Sequence, residues 1–180
     1  MTTCHCDLLK VRLRVLRDLG SQVREQRLQQ HGVELLWYKV VDMLDPAQEK
    51  DTRHTVFDFL ILLVLGQYDT LEMMRPVLFK FIKTNRVPED LDKVVGLLIA
   101  LTENGKDIVH IEEQMGPLLL EMLDTECQGE VVTNILGISS NMVKFNSAYM
   151  GQGVVVALIM KLTRLSCNSE SDKVVNCDHI

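Results

Sequence analysis

Long apolar runs are missing from this 180-residue sequence: the longest, Phe59–Leu65 and Val154–Met160, have seven residues each. A membrane-spanning helix needs about 20, so neither stretch crosses a bilayer. Residues 1–20 carry charges throughout and hold no unbroken apolar segment of the kind a secretory signal requires. Aromatic residues are scarce, at 5% with a single tryptophan. The apolar mass is therefore Leu, Val, Ile and Met, and a hydrophobic share of 47% can still fill a sizeable core. Leu and Met favour helix, and Val and Ile are tolerated on a buried helical face.

The chemistry-bearing patterns are equally thin. Five cysteines (Cys4, Cys6, Cys127, Cys167 and Cys177) form an odd, irregular set, which excludes a paired disulfide framework and points to reduced thiols in a cytoplasmic protein. Cys4-His5-Cys6 is the one cluster with two cysteines beside a histidine. Zinc ligands normally come as C-x₂₋₄-C with a second pair further on, so this lone C-x-C is read as incidental, and no metal is expected. The ten glycines are scattered, and neither a phosphate-binding glycine loop nor a G-x-S-x-G elbow occurs. His31, His54 and His110 sit near predicted helix starts or turns and are read as packed or partly exposed side chains. No catalytic residue and no cofactor are assigned.

Charge is unevenly placed. The chain carries −6 overall, yet residues 10–27 hold six positives and two negatives. The generally acidic body argues against nucleic acid, whose binding rests on neutralising phosphates with Lys and Arg. The local excess is a basic helix. Lys10, Arg14, Arg17 and Arg24 recur at steps of four, three and seven, which is one helical face, with Leu9, Leu13, Leu16 and Val23 opposite. Such a face suits an anionic membrane surface or the acidic face of a partner. The plainer reading is a solvated outer face of a terminal repeat.

Punctuation divides the chain into eight helical segments. The first two cover about 8–28 and 31–44, the second stopping at Asp45-Pro46, where proline lacks an amide donor. The third covers about 52–65 and ends at Gly66; Asp69 then reads as the N-cap of the fourth, with Glu72 at capping-box spacing. Pro76 inside that segment predicts a kink or a late start. A fifth segment follows Pro88 and closes at Asn104-Gly105, and a sixth covers about 108–123 around Pro117. The last two cover about 129–145 and 151–166, where the β-branched Val131-Val132 and Val154–Val156 leave strand open on pattern alone. Paired segments start near 11, 52, 89 and 129, a spacing of roughly 40 residues typical of HEAT-like helix pairs. A globular helical bundle fits the pattern as well.

Several runs carry a family resemblance. They are His31–Leu44 (HGVELLWYKVVDML), Arg53-His54, Phe79-Lys80 with Ile82-Lys83, Glu89-Asp90-Leu91, Thr102–Ile111 (TENGKDIVHI) and Asn141–Met150 (NMVKFNSAYM). Together they resemble the N-terminal helical region of the tuberin family, collinearly from about Val11 to about Cys167. The resemblance implies an all-α, HEAT/armadillo-like α-solenoid of about four antiparallel helix pairs. It favours helix over strand for the last two segments. It divides the chain into a variable lead-in at 1–10, a helical repeat domain at 11–166 and a disordered or truncated tail at 167–180.

Tuberin is the large subunit of the tuberous sclerosis complex, a GTPase activator that acts on Rheb and restrains TOR signalling. The implied function is that of a scaffold segment binding hamartin, a coiled-coil protein, and the implied location is the cytoplasm, with recruitment to lysosomal or other endomembranes as part of the complex. The family's GTPase-activating domain lies far C-terminal of the region resembled, so these residues are expected to be non-catalytic and to engage Rheb only through that missing domain. The departures at both ends suggest a fragment or truncated product. That domain uses an asparagine, but Asn146-Ser147 lies at a predicted helix C-terminus, where asparagine is common for backbone reasons, and receives no catalytic role. The alternative is a peripheral membrane module acting through the basic first helix.

Overall fold

The leucines and valines spaced three and four apart in the first segment fold it into α1, Thr3–Glu25. The computed structural model describes residues 3–29, 31–85, 87–124 and 129–175, leaving out the side chains of 3–7 and 166–175. Among the described residues every regular element is helical: α2 (Gly32–Val40), α3 (Lys50–Gly66), α4 (Arg75–Thr84), α5 (Leu91–Leu101), α6 (Glu112–Asp124), α7 (Glu130–Asn146) and α8 (Gln152–Val175) follow. The chain divides into two units, Met1–Leu101 and Thr102–Ile180.

In the first unit α3 packs against both α1 and α5. Its run FLILLVL is apolar all round, as a helix with neighbours on several sides must be, and Val56, Phe57, Leu60 and Val64 are completely buried. Each such side chain contributes about 1.5–3 kcal/mol by leaving water. The scarce aromatics concentrate where α2, α3 and α4 meet: Phe81 lies edge-on to Trp37 at 5.4 Å and tilted to Phe57 at 5.8 Å. At Gly66 the backbones of α1 and α3 come close, since a Cβ there would stand 2.2 Å from the Val23 carbonyl oxygen. The next residue, the buried Gln67, binds the end of α1: its amide donates to the carbonyls of Val23 (2.8 Å) and Gln26 (2.7 Å) and its oxygen accepts from the Leu28 amide (2.9 Å).

In the second unit α6, α7 and α8 contact one another. The strand alternative for the last two segments is settled as helix. Ile135, Ile138, Ser139, Met142 and Asn146 form the buried face of α7 at helical spacing. The sequence-predicted boundaries shift in several places. Asp69 does not cap α4: Tyr68–Thr70 is a 3₁₀ turn and α4 starts at Arg75, with Pro76 in its first turn, where a missing amide costs nothing. The sixth helix starts at Glu112 rather than near 108, because Ile108 and Ile111 are buried in the preceding turn. The eighth continues to Val175, so helical backbone runs past 166, where the tail was expected to begin. Likewise α1 takes in residues of the expected lead-in.

Candidate functional site

The basic face of α1 is brought together only in part. Lys10, Arg14 and Arg24 are exposed; Arg17 is also exposed but turns toward α3, where its guanidinium donates to the Thr55 hydroxyl at 3.3 Å. Leu16 and Val23 are buried beneath this helix as expected, while Leu9 and Leu13 are only half-buried. A cation that the face reading omitted forms the best-defined ion pair on this surface. Arg12 donates to both carboxylate oxygens of Asp42, at 2.8 and 2.7 Å, and to the Lys39 carbonyl at 2.6 Å. The hydrogen bond from Arg12 holds the Asp42 carboxyl below its ordinary pKa, and the same bond raises that of Arg12. This fork ties α1 to the end of α2.

Between those two helices lies an open apolar groove of about 320 Å³. Val11, Val15 and Leu19 line it from α1, and Leu36, Val40 and Met43 from α2 and the 3₁₀ turn after it. Its floor is recessed, with Val40 and Met43 almost fully buried, whereas Val11 and Val15 at the lip are 58% and 46% exposed. Leu8 on α1 and Leu35 on α2 are exposed as well. The signal was present in the sequence as an apolar i, i+4 pair, Val11 and Val15, set among the basic residues.

The remaining polar constellations are latches. Asp90, completely buried, accepts from Arg53 Nε (2.8 Å) and Nη2 (3.0 Å) and lies 3.2 Å from His54 Nε2, which also reaches the Glu89 carbonyl at 3.0 Å. The hydrogen bond to Asp90 raises the pKa of Arg53. An Asp–Arg–His cluster of this kind joins the start of α3 to the turn before α5. Its carboxylate is occupied by Arg53 and His54, and no nucleophile faces the imidazole in the contacts it makes. A second latch holds the turn after α5, where Glu103, Asn104 and Gly105 all take positive φ. Asn146 donates its amide to the carbonyls of Gly105 (2.9 Å) and Lys106 (3.1 Å), and Asn141 donates to that of Asn104 (2.9 Å).

Asn146 is thereby a structural residue. Among the described residues every buried side-chain nitrogen and oxygen has a hydrogen-bond partner, and no group of three His, Cys, Asp or Glu could hold a metal. The side chains of Cys4, His5 and Cys6 lie outside the described set. So do those of Cys127, Cys167 and Cys177. His31 and His110, both at positive φ, are exposed; His31 lies 2.9 Å from Glu34.

A family model described as "Domain of unknown function (DUF3384)" matches residues 9–177. The chain belongs to this family. A solved structure of the TSC2 N-terminus is similar in fold, with a TM-score of 0.75 at 19% identity over 87% of this chain. The DUF3384 chain spans 42% of the length of that one. The likeness establishes the all-α, solenoid-type helical fold, and with it the resemblance to the N-terminal region of tuberin holds at the level of architecture.

Placed in this DUF3384 fold, the runs that carry the resemblance turn out to face one another. Arg53-His54 bonds to Glu89-Asp90, and Asn141 with Asn146 bonds to the turn inside Thr102–Ile111. Phe79 and Ile82 are buried core, while Lys80 and Lys83 are exposed. The resemblance thus includes residues that hold helices together, and its run His31–Leu44 also supplies Leu36, Lys39, Val40 and Met43 to the α1–α2 groove. No helix among the described residues is long and apolar enough to cross a membrane.

Proposed function

We propose that this chain is a scaffold segment that binds a hamartin-like coiled-coil protein and so assembles the tuberous sclerosis complex. The observation that carries the reading is the helical fold shared with the TSC2 N-terminus, together with an exposed apolar groove on its first helix pair. Stacked helix pairs offer extended faces, and a partner helix seats its apolar stripe in a groove between two of them. In this reading the complete protein accelerates GTP hydrolysis by Rheb and lowers TOR activity, acting in the cytoplasm and at lysosomal or other endomembranes. The present residues supply assembly, and the catalysis belongs to a C-terminal domain of the longer protein.

Isothermal titration of a hamartin coiled-coil segment into the chain tests the assembly role, with saturable heat expected and an absence of heat contradicting it. Single-turnover hydrolysis of GTP by Rheb should be unchanged by adding the chain, and acceleration would refute the non-catalytic reading.

A second reading, a peripheral membrane module, is favoured by the exposure of Lys10, Arg14 and Arg24 on α1 beside exposed Leu8 and Val11. It requires salt-sensitive binding to anionic vesicles that weakens in the Arg14→Glu, Arg17→Glu variant. Equal binding by that variant would remove the basic face from the account.

A further inference from the structure

We propose that Asn104 is a self-modification site gated by the turn that holds it. The closed turn keeps the Gly105 nitrogen from attacking the Asn104 side chain. Once opened, it lets Asn104 deamidate to an isoaspartate that no longer fits. This inference is independent of the scaffold reading.

The sequence supplies the chemistry. Among the asparagines, Asn104 alone is followed by glycine, which has no side chain to crowd its own backbone nitrogen. In such a pair the amide nitrogen gives up its proton to water or hydroxide and attacks the side-chain Cγ. The N–Cγ bond forms, the Cγ–Nδ2 bond breaks, and ammonia leaves with a proton taken from water, closing a succinimide ring. Water then opens the ring at either carbonyl. One opening gives aspartate; the other gives isoaspartate, whose main chain passes through Cβ and Cγ.

The structure opposes the attack from three sides. The buried Gly105 amide donates to the Thr102 hydroxyl at 2.9 Å, so its proton is held. The Asn104 carbonyl accepts from Asn141 and the Gly105 carbonyl from Asn146, both at 2.9 Å, which fixes the peptide groups before and after Gly105. Behind the turn, a Cβ on Gly105 would stand 2.5 Å from the Ile138 carbonyl oxygen, so Gly105 cannot move toward α7. The Asn104 side chain, by contrast, is exposed. Water therefore reaches the amide that would leave, while the nitrogen that would attack is buried and bonded. Attack waits for the turn to open, and its rate follows the open fraction of the second unit.

The same contacts reject the product. Isoaspartate lengthens the main chain by a methylene group just before Gly105, where α7 leaves no slack. The Gly105 and Lys106 carbonyls then lose register with the Asn146 amide that bonds both. The modification runs one way and records past openings of this unit.

The test incubates the full chain in mildly alkaline buffer, native and in guanidinium chloride. Residue 104 is followed by peptide mapping with mass spectrometry and by enzymatic labelling of isoaspartate. The denatured chain should form isoaspartate there about tenfold or more faster than the native chain. Thr102→Val removes the hydroxyl that holds the Gly105 amide and should raise the native rate several-fold. Thr102→Ser keeps the hydroxyl and should stay near wild type.

Equal rates in the native and denatured chain overturn the proposal, as does an absence of isoaspartate in the denatured one. A wild-type rate in a Thr102→Val variant with an unchanged helical melt also overturns it. If Thr102→Val does not fold, the wild-type chain in rising guanidinium decides. Its rate should climb in step with hydrogen exchange at the Gly105 amide, and a rate that ignores this opening removes the gate. The purified chain modified at Asn104 should denature at a lower midpoint, and an unchanged midpoint would show that the product still fits.

Discussion

Asn146 near the end of α7 and Gly105 in the turn after α5 are joined by an amide-to-carbonyl hydrogen bond of 2.9 Å across forty-one positions of sequence. Gly105 takes φ +83°, and a Cβ there would stand 2.5 Å from the Ile138 carbonyl oxygen, so the turn presses directly on α7. Asn146→Leu removes the amide that donates to the Gly105 and Lys106 carbonyls, and should destabilise the second unit by about 1–3 kcal/mol. Chemical denaturation measures this, and an unchanged midpoint would contradict the latch.

Arg53 and Asp90 are both almost fully buried, so the pair's value depends on keeping it whole. Asp90→Ala leaves the guanidinium short of its main partner and should cost about 3–5 kcal/mol. The double variant Arg53→Met, Asp90→Leu should cost much less than the two single changes together. A double-mutant cycle showing simple additivity would mean that the two side chains do not act as a unit.

Gly66 and Gly153 make a matched comparison. Gly66→Ala drives a methyl group against the backbone of α1 and should destabilise by about 1–3 kcal/mol. Gly153→Ala meets nothing within 4 Å in the first turn of α8 and should be neutral or stabilising by up to about 1 kcal/mol. Thermal melts of both variants read the difference, and similar behaviour would refute the close approach of α1 and α3.

The Arg12–Asp42 fork should show itself in the pH dependence. Asp42 has its carboxyl pKa lowered in the folded state by the hydrogen bond from Arg12. Its contribution is therefore present above the ordinary aspartate range and is lost as pH falls through the lowered value. Both groups are partly exposed, so the effect stays under about 1 kcal/mol. Asp42→Asn should lower the melting temperature near neutrality, with the gap closing in acid; a gap constant with pH would contradict the fork.

These contacts also mark where the sequence is readable. The helices follow from apolar spacing and from stops such as Asp45-Pro46 and Asn104-Gly105, because both signals lie within a few residues of the feature they specify. The late start of α4 follows from Pro76, but the fate of Asp69 does not. Its carboxylate pairs with Arg27, 3.1 Å away and forty-two positions earlier, instead of capping a helix.

Arg53–Asp90, Gln67 with the end of α1, and Asn146 with Gly105 all join residues thirty-seven or more positions apart. No local pattern announces such partners, since a buried polar residue and an exposed one look alike until the helices are stacked. The anchoring role of Arg12 on α1 has no local signal, because Asp42 lies thirty positions away. The groove beside it depends on which valines the second helix leaves uncovered.

Size-exclusion chromatography with light scattering, on the chain alone and mixed with a hamartin coiled-coil segment, tests the scaffold claim most directly. The account predicts a stable co-complex whose mass equals the two components together. A monodisperse, fully helical chain that elutes unchanged beside the coiled coil would contradict it.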